Sequence, residues 1–319
     1  MVVVYTESKG GSFKKIAHEA VAYAKGIADM LGTNVTAVAI NGGDSSELGT
    51  YGASKVLEVN NESLNTFNAD AYAGVISEAA KTEGASVVVL TSSVNSKFIA
   101  PLLAVNLEAG YVPNVTELPL SAAPFKVKHS VYTNKAFATT EINTNVKVLG
   151  LGKNAYGIIE NPTTASAESF APEIQAGGVQ VVSVDKATDK VTIADAEIVV
   201  SAGRGLKGPE NWGLIEDLAD ILGAATACSK PVSDMGWRPH SEHVGQTGKP
   251  VACTLYIAIG ISGAIQHLAG INSSKVKVVI NTDAEAPFFK AADYGIVGDA
   301  FEIVPQLTEK LKEFKAQNA

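Results

Sequence analysis

Residues 244–267, VGQTGKPVACTLYIAIGISGAIQH, constrain this chain more than any other stretch. They combine a polar loop with glycines, an apolar run typical of a buried strand, a second glycine turn, and a helix carrying Gln266 and His267. Glycine lets a backbone approach a phosphate closely, and a strand leading into a helix directs free N–H groups toward an anion. A Gln-His pair just inside that helix can reach a ring lying over the strand ends. The stretch therefore predicts a dinucleotide-binding site.

The size and charge of the chain narrow the class of protein. Its 319 residues are enough for two domains, each with a sizeable core. A net charge of -8 without a basic stripe argues against a nucleic-acid-binding surface. It fits a protein that docks on basic partners.

The cysteines and apolar runs indicate where the protein works. Cys228 and Cys253 are the only cysteines, and their spacing fits neither a CxxC pair nor a zinc site. We expect free, reduced thiols, which favours the cytosol. The N-terminus starts as an apolar strand and lacks the pattern of a secretion signal. The longest apolar run, 251–265, is interrupted and shorter than the about 20 residues of a membrane span. We expect a cytoplasmic protein of the bacterial cytosol, without membrane insertion.

Strand and helix patterns alternate through the first half of the chain. Predicted strands lie at 2–5, 34–40 and 85–90, and predicted helices lie at 12–31, 71–80 and 96–109. The run at 85–90 is typical of a parallel strand buried on both faces. Residues 125–149 are richer in strand-forming and polar residues, which predicts added antiparallel strands. The pattern predicts an N-terminal α/β layer domain.

A second alternating region follows a charged stretch at 186–190, where we place the domain boundary. The two predicted domains are therefore 1–188, a scaffold and subunit interface, and 189–319. Predicted strands of the second domain lie at 197–201, 224–229, 254–259, 275–281 and 295–298, and predicted helices at 209–222, from about 263, and at 300–314. This pattern predicts a doubly wound parallel sheet, with ligand outside the carboxyl ends of the strands.

Two loops at predicted strand ends carry cations. The loop 201–212, SAGRGLKGPENW, matches neither the G-x-G-x-x-G fingerprint nor a P-loop. It is either a tight turn with Gly203 and Gly205 at positive φ or a site in which Arg204 faces a phosphate or ring edge. Ser229 and Lys230 end the next strand on the ligand side of the sheet. The alternative there is a strand-end turn with a solvated lysine.

Two further loops offer uncharged donors. In VGQTGK, 244–249, Gln246 and Thr247 present an amide and a hydroxyl, although the loop is also typical of a polar hairpin turn. In GISGAIQHLAG, 260–270, we expect Ser262 and Gly263 to cap the helix and hold an anion. A lone helix histidine such as His267 is more often internally satisfied than a ligand.

The last two strand ends carry carboxylates. Asn281 and Asp283 follow one predicted strand, where such groups commonly meet a ribose or an adenine edge, and Asp299 follows another. Five strand ends with polar or glycine residues in one domain together predict nucleotide binding. His240 and His243 form an HxxH pair without an evident third ligand, so no metal site is predicted. No arrangement supports hydrolysis, and no catalytic residue is predicted.

These motifs resemble a known family. SAGRGLKGPENW, VGQTGK, YIAIGISGAIQHLAGI, INTDAEAPFFKAADYGIVGD and FEIVPQLTEKLKEF are similar to the FAD domain of the electron transfer flavoprotein alpha subunit. The resemblance is dense from about residue 190 onward and looser before it. It implies a heterodimer with one FAD in this subunit and an AMP commonly in the beta subunit. It further implies electron transfer from acyl-CoA dehydrogenases and related flavoenzymes to a membrane-bound electron transfer flavoprotein-quinone oxidoreductase.

The resemblance also implies roles for individual residues. Thr247 is expected to bond flavin N5, and His267 to face the flavin O2 side. The residues expected along the pyrophosphate and ribityl path are Ser262, Gly263, Ala264, Ile265 and Gln266. The residues expected to hold the remainder of FAD are Arg204, Ser229, Asn281 and Asp299. The same expected site includes Lys230, Val244, Gly245, Gln246 and Ala300. Donors and cations near the pyrimidine edge would stabilise negative charge on the reduced flavin.

One residue departs from the family pattern. The family usually has Ser-Arg-Pro or Ser-Arg-Ala where this chain has Ser229-Lys230-Pro231. Arginine is a planar fork that stays charged, whereas lysine is a point charge that can lose its proton when desolvated. We therefore expect Lys230 to stabilise a negatively charged flavin less than an arginine would.

The sequence favours an electron carrier over an enzyme, with two alternatives. One is the alpha subunit of a bifurcating flavoprotein, in which the complex oxidises NADH at a second flavin on the beta subunit. The other is a non-redox module that binds adenine nucleotides, which would be colourless. The acidic balance of the chain favours electrostatic attraction to basic patches on dehydrogenases.

Overall fold

The computed structural model of the chain describes residues 1–91, 93–174, 178–179, 181–184, 192–193 and 196–318. The chain divides into two compact units. The N-terminal unit comprises Met1–Tyr132 and Ala136–Asp185, and the C-terminal unit comprises Thr133–Lys135 and Lys186–Ala319. The expected boundary at 186–190 lies outside the described residues, so the division between residues 188 and 189 stays a prediction.

The N-terminal unit contains three α-helices and twelve strands in its described part. The helices are α1 (Lys15–Leu31), α2 (Ala69–Thr82) and α3 (Val94–Asn106). The strands are β1 (Val2–Thr6), β2 (Ser8–Lys9), β3 (Ser12–Phe13), β4 (Val35–Ile40), β5 (Lys55–Val59), β6 (Val87–Leu90), β7 (Gly110–Val115), β8 (Ser121–Ala122), β9 (Phe125–Val131), β10 (Ala136–Glu141), β11 (Lys147–Leu151) and β12 (Ser166–Ser169).

One large sheet organises this unit. Its strand order is β10-β9-β7-β11-β6-β1-β4-β5-β12, with β8 paired to β9. The strands from β7 to β12 along this order pair in parallel. The β8, β9 and β10 strands add antiparallel pairs. The predicted α/β layer domain with added antiparallel strands is therefore confirmed.

The alternation of side chains along β1 divides the core into two layers. Val2 and Val4 pack in the cluster that includes residues of α1, and Val3 and Tyr5 pack in the cluster that includes residues of α2 and α3. Successive strand residues point to opposite faces, so a strand covered on both faces reads as a continuous apolar run. This is why β1 and β6 were predictable from sequence.

Four strands of this sheet escaped the sequence patterns. β5 and β7 are interrupted by polar residues or proline, β8 has only two residues, and β12 is exposed along its whole length. The first helix was also placed too early, because Ser12–Phe13 pairs with Ser8–Lys9 as a small hairpin and the helix begins at Lys15. The helical periodicity had included Ser12 and Phe13, but these residues pair in the hairpin and lie outside the helix.

The C-terminal unit contains five strands and four α-helices in its described part. The strands are β13 (Ile198–Ala202), β14 (Ala225–Cys228), β15 (Leu255–Ile259), β16 (Val276–Asn281) and β17 (Tyr294–Val297). The helices are α4 (Gly213–Leu222), α5 (Lys230–Asp234), α6 (Ile265–Ile271) and α7 (Ala300–Gln317).

These five strands form an all-parallel sheet of order β14-β13-β15-β16-β17. The chain runs from β13 outward to β14 and then returns to the other side of β13 with β15. The direction of winding therefore reverses between β13 and β15. Apolar clusters cover both faces of the sheet, and α4 and α7 contribute to one of them. The predicted doubly wound parallel-sheet domain is confirmed.

No helix within the described part of the chain is both long enough and apolar enough to cross a membrane.

A buried carboxylate fixes one loop of the N-terminal unit. Glu19 on α1 is 4 % exposed. Its carboxylate accepts hydrogen bonds from the backbone N–H groups of Asn154, Tyr156 and Gly157, at 3.0, 3.0 and 2.8 Å. Three charge-assisted hydrogen bonds stabilise the negative charge of this carboxylate. Glu19 thereby ties α1 to the loop that follows β11.

Substituting Glu19→Gln should loosen this loop. The amide keeps one acceptor oxygen but loses the charge, which should cost about 1–2 kcal/mol and raise amide exchange of residues 154–157 roughly tenfold. Hydrogen–deuterium exchange measured by mass spectrometry would detect the change. The control is Asp29→Asn, on the exposed side of α1, where the ion pair with Lys25 should contribute little. Equal exchange in both variants would contradict this account.

Candidate functional site

The carboxyl ends of the five parallel strands in the C-terminal unit meet at one edge of the sheet. Ligands of doubly wound folds bind outside this edge, at the point where the winding reverses. Here that point lies between β13 and β15, whose following loops begin at Gly203 and Gly260.

Three glycines let these two loops pass each other in direct backbone contact. A Cβ atom on Gly203 would lie 2.3 Å from the Gly260 carbonyl oxygen, and one on Gly205 would lie 2.6 Å from Gly260 Cα. The Gly205 N–H donates to the Gly260 carbonyl at 3.2 Å. Gly260 itself has a φ of +61°. No side chain fits between the loops, which leaves backbone groups at the centre of the edge.

Of the two alternatives for this loop, the tight turn with Gly203 and Gly205 at positive φ is wrong. Gly203 has a φ of -115°, and Gly205 lies in a 3-10 turn, Arg204–Leu206, without a positive φ. The left-handed residue of this loop is Lys207, with a φ of 66°. These glycines are required by close approach to another backbone, a reason that sequence alone does not separate from a turn.

The loop after β15 forms a wall of the edge. Gly263 has a φ of +86°, and a Cβ atom there would lie 2.5 Å from the Phe288 backbone nitrogen. The Phe288 N–H donates to the Ser262 carbonyl at 3.0 Å. Ser262, Ala264 and Ile265 are exposed, and Ile265 retains 71 % of its accessible surface. An exposed apolar side chain between polar loops can cover a flat ring.

The expected capping of the next helix by Ser262 and Gly263 is wrong. The helix α6 begins at Ile265, and its N-cap residue is Ala264, which makes no side-chain hydrogen bond to the helix. Ser262 and Gly263 are held in tight contact with the Phe288 backbone, so Ser262 does not cap the helix. Gln266 is therefore exposed in the first turn, and His267 follows it on the buried side.

The turn at 244–249 packs against α6. The Gln246 N–H donates to the Gln266 carbonyl at 2.8 Å, and a Cβ atom on Gly270 would lie 2.6 Å from Gly245 Cα. Gln246 and Thr247 are exposed, whereas Val244 and Gly245 are buried. The two halves of the stretch 244–267 therefore meet through backbone contact, with the Thr247 hydroxyl facing solvent beside the Gln266 turn.

The same turn is joined to the end of β14. The Val244 N–H donates to the Cys228 carbonyl at 3.0 Å, and the Ser229 N–H donates to the Ala202 carbonyl at 3.1 Å. Ser229 is 7 % exposed and Lys230 is exposed. The structure thus links the loops after β13, β14 and β15 through backbone hydrogen bonds.

The expected strand-end position of Ser229 and Lys230 needs correction. The strand β14 ends at Cys228, and Lys230 is the first residue of the short helix α5, with Ser229 at its N-cap. Pro231 has a fixed φ suited to the first turn of a helix, which explains why the chain turns helical there. Lys230 still lies at the carboxyl end of β14.

The remaining expected residues make internal contacts. The Asn281 side chain donates to the Ile261 carbonyl at 3.1 Å and accepts from the Asp283 N–H at 3.1 Å. The Asp299 carboxylate accepts from the Phe301 N–H at 2.9 Å and lies 3.6 Å from the Lys207 ammonium. Ala300, the first residue of α7, is buried. These side chains brace the loops after β16 and β17.

His267 lies inside the core beneath this edge. It is 6 % exposed, its Nε2 atom lies 3.0 Å from the Tyr256 hydroxyl, and its ring packs 6.0 Å from the Phe288 ring. Burial, with a smaller contribution from the nearby His243, lowers the pKa of His267 to about 4, although the Val244 backbone opposes the shift. His267 is therefore neutral at pH 7. Its Nδ1 atom is buried and has no hydrogen-bond partner within the described part of the chain.

The contributions of Tyr256 and Phe288 were missed by sequence reasoning. Tyr256 sits in the middle of the apolar strand YIAIG, and Phe288 follows a proline in a loop. Alternation along β15 was the only signal for Tyr256, since it predicts a buried side chain on one face. Its hydrogen bond to a residue on the next helix has no sequence signature.

The described histidine residues and Cys228 near the edge show neither a metal-binding cluster nor an ionised thiol. No group of three potential metal ligands occurs among the residues that the structure describes. His240 Nδ1 lies 2.9 Å from the Ser233 hydroxyl, and burial lowers the pKa of His243. Burial raises the pKa of Cys228 to about 12, so its thiol stays protonated at neutral pH. Both cysteines are buried and outside any disulfide.

Together these features define a class of protein: two α/β units, of which the second presents a nucleotide-type edge of glycine and polar loops. Comparison with known families agrees with this class. The electron transfer flavoprotein domain matches residues 2–189, and the electron transfer flavoprotein FAD-binding domain matches residues 192–272.

Similarity to individual proteins extends over nearly the whole chain. The electron transfer flavoprotein subunit alpha of Bacillus subtilis is 35 % identical over 98 % of this chain and 97 % of its own length. That of Pseudomonas aeruginosa is 36 % identical over 96 % of this chain and 98 % of its own length. Protein FixB of Escherichia coli is 33 % identical over 89 % of this chain and 92 % of its own length. The chain belongs to the electron transfer flavoprotein alpha subunit family.

The buried neutral histidine predicts a pH-dependent stability. The folded pKa of about 4 lies below the ordinary value of 6.5, so the unfolded chain binds an extra proton between these pH values. This stability is fully present above pH 6.5 and falls as the pH drops toward 4. We expect a loss of about 2 kcal/mol in unfolding free energy between pH 7.5 and pH 5.

Urea unfolding followed by tryptophan fluorescence would measure this loss, because Trp212 and Trp237, the only tryptophans, both lie in the C-terminal unit. The His267→Gln variant should lose less over the same pH interval. The control variant, His240→Gln, removes an exposed histidine from the same unit and should behave as the unaltered chain. Parallel pH profiles for all three proteins would show that His267 is not the titrating group.

Proposed function

We propose that this chain binds one FAD at the carboxyl edge of the C-terminal unit and acts as the alpha subunit of a heterodimeric electron carrier. The carrier would take electrons from acyl-CoA dehydrogenases and related flavoenzymes, as in fatty acid β-oxidation, and pass them to a membrane-bound electron transfer flavoprotein-quinone oxidoreductase. The observation that carries the proposal is the linkage of three loops by backbone contacts above a buried histidine nitrogen that has no partner among the described residues.

The residues at this edge suit FAD. Gly203 and Gly205 let the loop after β13 pack directly on the loop at Gly260, and the exposed Gly205 would let a pyrophosphate approach the backbone closely. Arg204 and Lys230 are exposed at adjacent loops and can neutralise its charge. His267 Nδ1 is a buried polar atom for which the described chain supplies no partner, and such atoms commonly meet a ligand or water.

Bound FAD would supply one- and two-electron redox chemistry, and the surrounding residues would hold and orient it. We assign Thr247 and His267 to the flavin ring and Ser262, Ala264, Ile265 and Gln266 to the path of the ribityl chain and pyrophosphate. Gly245 and Gln246 shape the turn that presents Thr247. Ser229, Asn281 and Asp299 would act by holding their loops, since each is engaged in or beside a loop contact.

The role of a carrier needs no substrate site beyond the cofactor, and we therefore assign no catalytic residue. The chain's net charge of -8 supports attraction to basic patches on its redox partners. We also propose a cytoplasmic location and an AMP in the beta subunit, on the strength of family membership.

Visible absorption of the chain co-purified with its beta subunit tests this function. We expect a yellow complex with one FAD per heterodimer that is reduced by an acyl-CoA dehydrogenase with its substrate, and not by NADH. Two flavins per heterodimer with reduction by NADH would instead identify a bifurcating flavoprotein. A colourless complex that binds adenine nucleotides would overturn the redox function.

Substituting Lys230→Arg tests the departure from the family pattern. A guanidinium stays charged and can stack on the ring, so it should raise the midpoint potential of the first electron by about 60 mV, a tenfold change in equilibrium constant. Potentiometric titration of the FAD-loaded heterodimer would measure it. The control is Lys275→Arg, an exposed lysine just before β16, at the opposite edge of the sheet. Equal potentials for Lys230→Arg and the unaltered chain would contradict the prediction.

A further inference from the structure

Tyr256 and His267 form a polar pair enclosed by apolar residues. Tyr256 is fully buried on β15, and its hydroxyl lies 3.0 Å from His267 Nε2. The Phe288 ring stacks on Tyr256, with centroids 6.5 Å apart and planes 7° from parallel. The pair is therefore held by packing from one side and by a hydrogen bond from the other.

The position of the protons in this pair follows from its burial. Burial raises the pKa of Tyr256 well above 10, a shift that the nearby Ser201 hydroxyl opposes, so the phenol keeps its proton. A buried hydroxyl donates to an available acceptor. Nε2 of His267, 3.0 Å away, can be this acceptor in one of the two neutral tautomers of the imidazole. In that tautomer the single N–H group of the ring is on Nδ1.

The Nδ1 atom is the feature that this arrangement leaves unexplained. It is buried, and no hydrogen-bond partner for it lies within the described part of the chain. Buried N–H groups are nearly always hydrogen-bonded, so an Nδ1–H group at this position would require an acceptor. His267 directly follows the exposed Gln266, whose carbonyl holds the turn of Thr247. His267 therefore lies beneath the edge at which FAD is proposed to bind.

We infer that Tyr256 is a positioning residue of this site: it donates to Nε2 and so holds His267 as the tautomer whose Nδ1–H can donate to an acceptor atom of the cofactor. The inference rests on the proposed function. Tyr256 acts through His267 and does not itself touch the ligand. The ligand chemistry is that of a neutral hydrogen-bond acceptor, such as a ring carbonyl, since the donor is uncharged.

Side-chain nitrogen NMR of the histidine-labelled chain in complex with its beta subunit tests the inference directly. The nitrogen shifts of His267 report which ring nitrogen carries the proton, and His267→Gln identifies its signals among those of the five histidines. We expect the Nδ1–H tautomer in the unaltered complex. In Tyr256→Phe, which keeps the ring that stacks on Phe288, we expect a mixture of tautomers.

The affinity for FAD provides the second measurement on the same complexes. Losing the orienting hydrogen bond should raise the FAD dissociation constant about three- to tenfold in Tyr256→Phe. The control, Tyr294→Phe, removes an exposed hydroxyl from β17 and should change neither the tautomer nor the affinity.

The outcomes separate this inference from the proposed function. An unaltered complex that binds FAD with the proton on Nε2 would overturn the inference alone. An unchanged tautomer and unchanged FAD affinity in Tyr256→Phe would also overturn it. An unaltered complex that binds no FAD, with Nδ1 protonated, would overturn the proposed function and with it the role of Tyr256 toward a cofactor.

Discussion

The direct backbone contact between the loop at Gly203–Gly205 and the loop at Gly260 is the constraint on which the rest of the site depends. It closes the point where the sheet reverses its winding and leaves no side chain between β13 and β15. The loop after β14 is bonded to Ala202, and the turn at 244–249 is bonded to Cys228. Each of these loops is positioned by its neighbour. A Cβ atom added at Gly203, Gly205 or Gly260 would therefore displace all of the linked loops and not one turn alone.

Charge is divided between the rim and the interior of this site. Arg204, Lys207 and Lys230 are exposed, whereas His267 is buried and neutral. An exposed cation attracts an anion over several ångströms but is screened by salt, while a buried neutral donor acts only on an atom in contact with it. The exposed cations therefore supply the positive potential at the edge, and this effect depends on salt concentration. The buried His267 orients an atom in contact with it, and this effect depends on direct contact.

The predictability of each feature follows from how local its cause is. Strands such as β1, β6 and β15 were predictable because burial on both faces produces apolar runs. The five-residue helix α5 was missed because it is too short to show a helical period, and proline obscured it. The roles of Gly203 and Gly205 stayed open in the sequence because close approach and positive φ select the same residue. The bond between Tyr256 and His267 joins a strand to a helix, and no spacing rule encodes it.

The carboxylate of Glu19 has a consequence for how the two units differ. Backbone N–H groups converging on one point form a concave anion receptor, and the loop of Asn154, Tyr156 and Gly157 has this form. In this chain the receptor is permanently filled by an acid from its own α1 helix. An acid of the N-terminal unit itself therefore occupies this anion-binding loop. A dissolved phosphate or nucleotide would have to displace the Glu19 carboxylate in order to bind there. The loop therefore serves as a structural joint of the N-terminal unit.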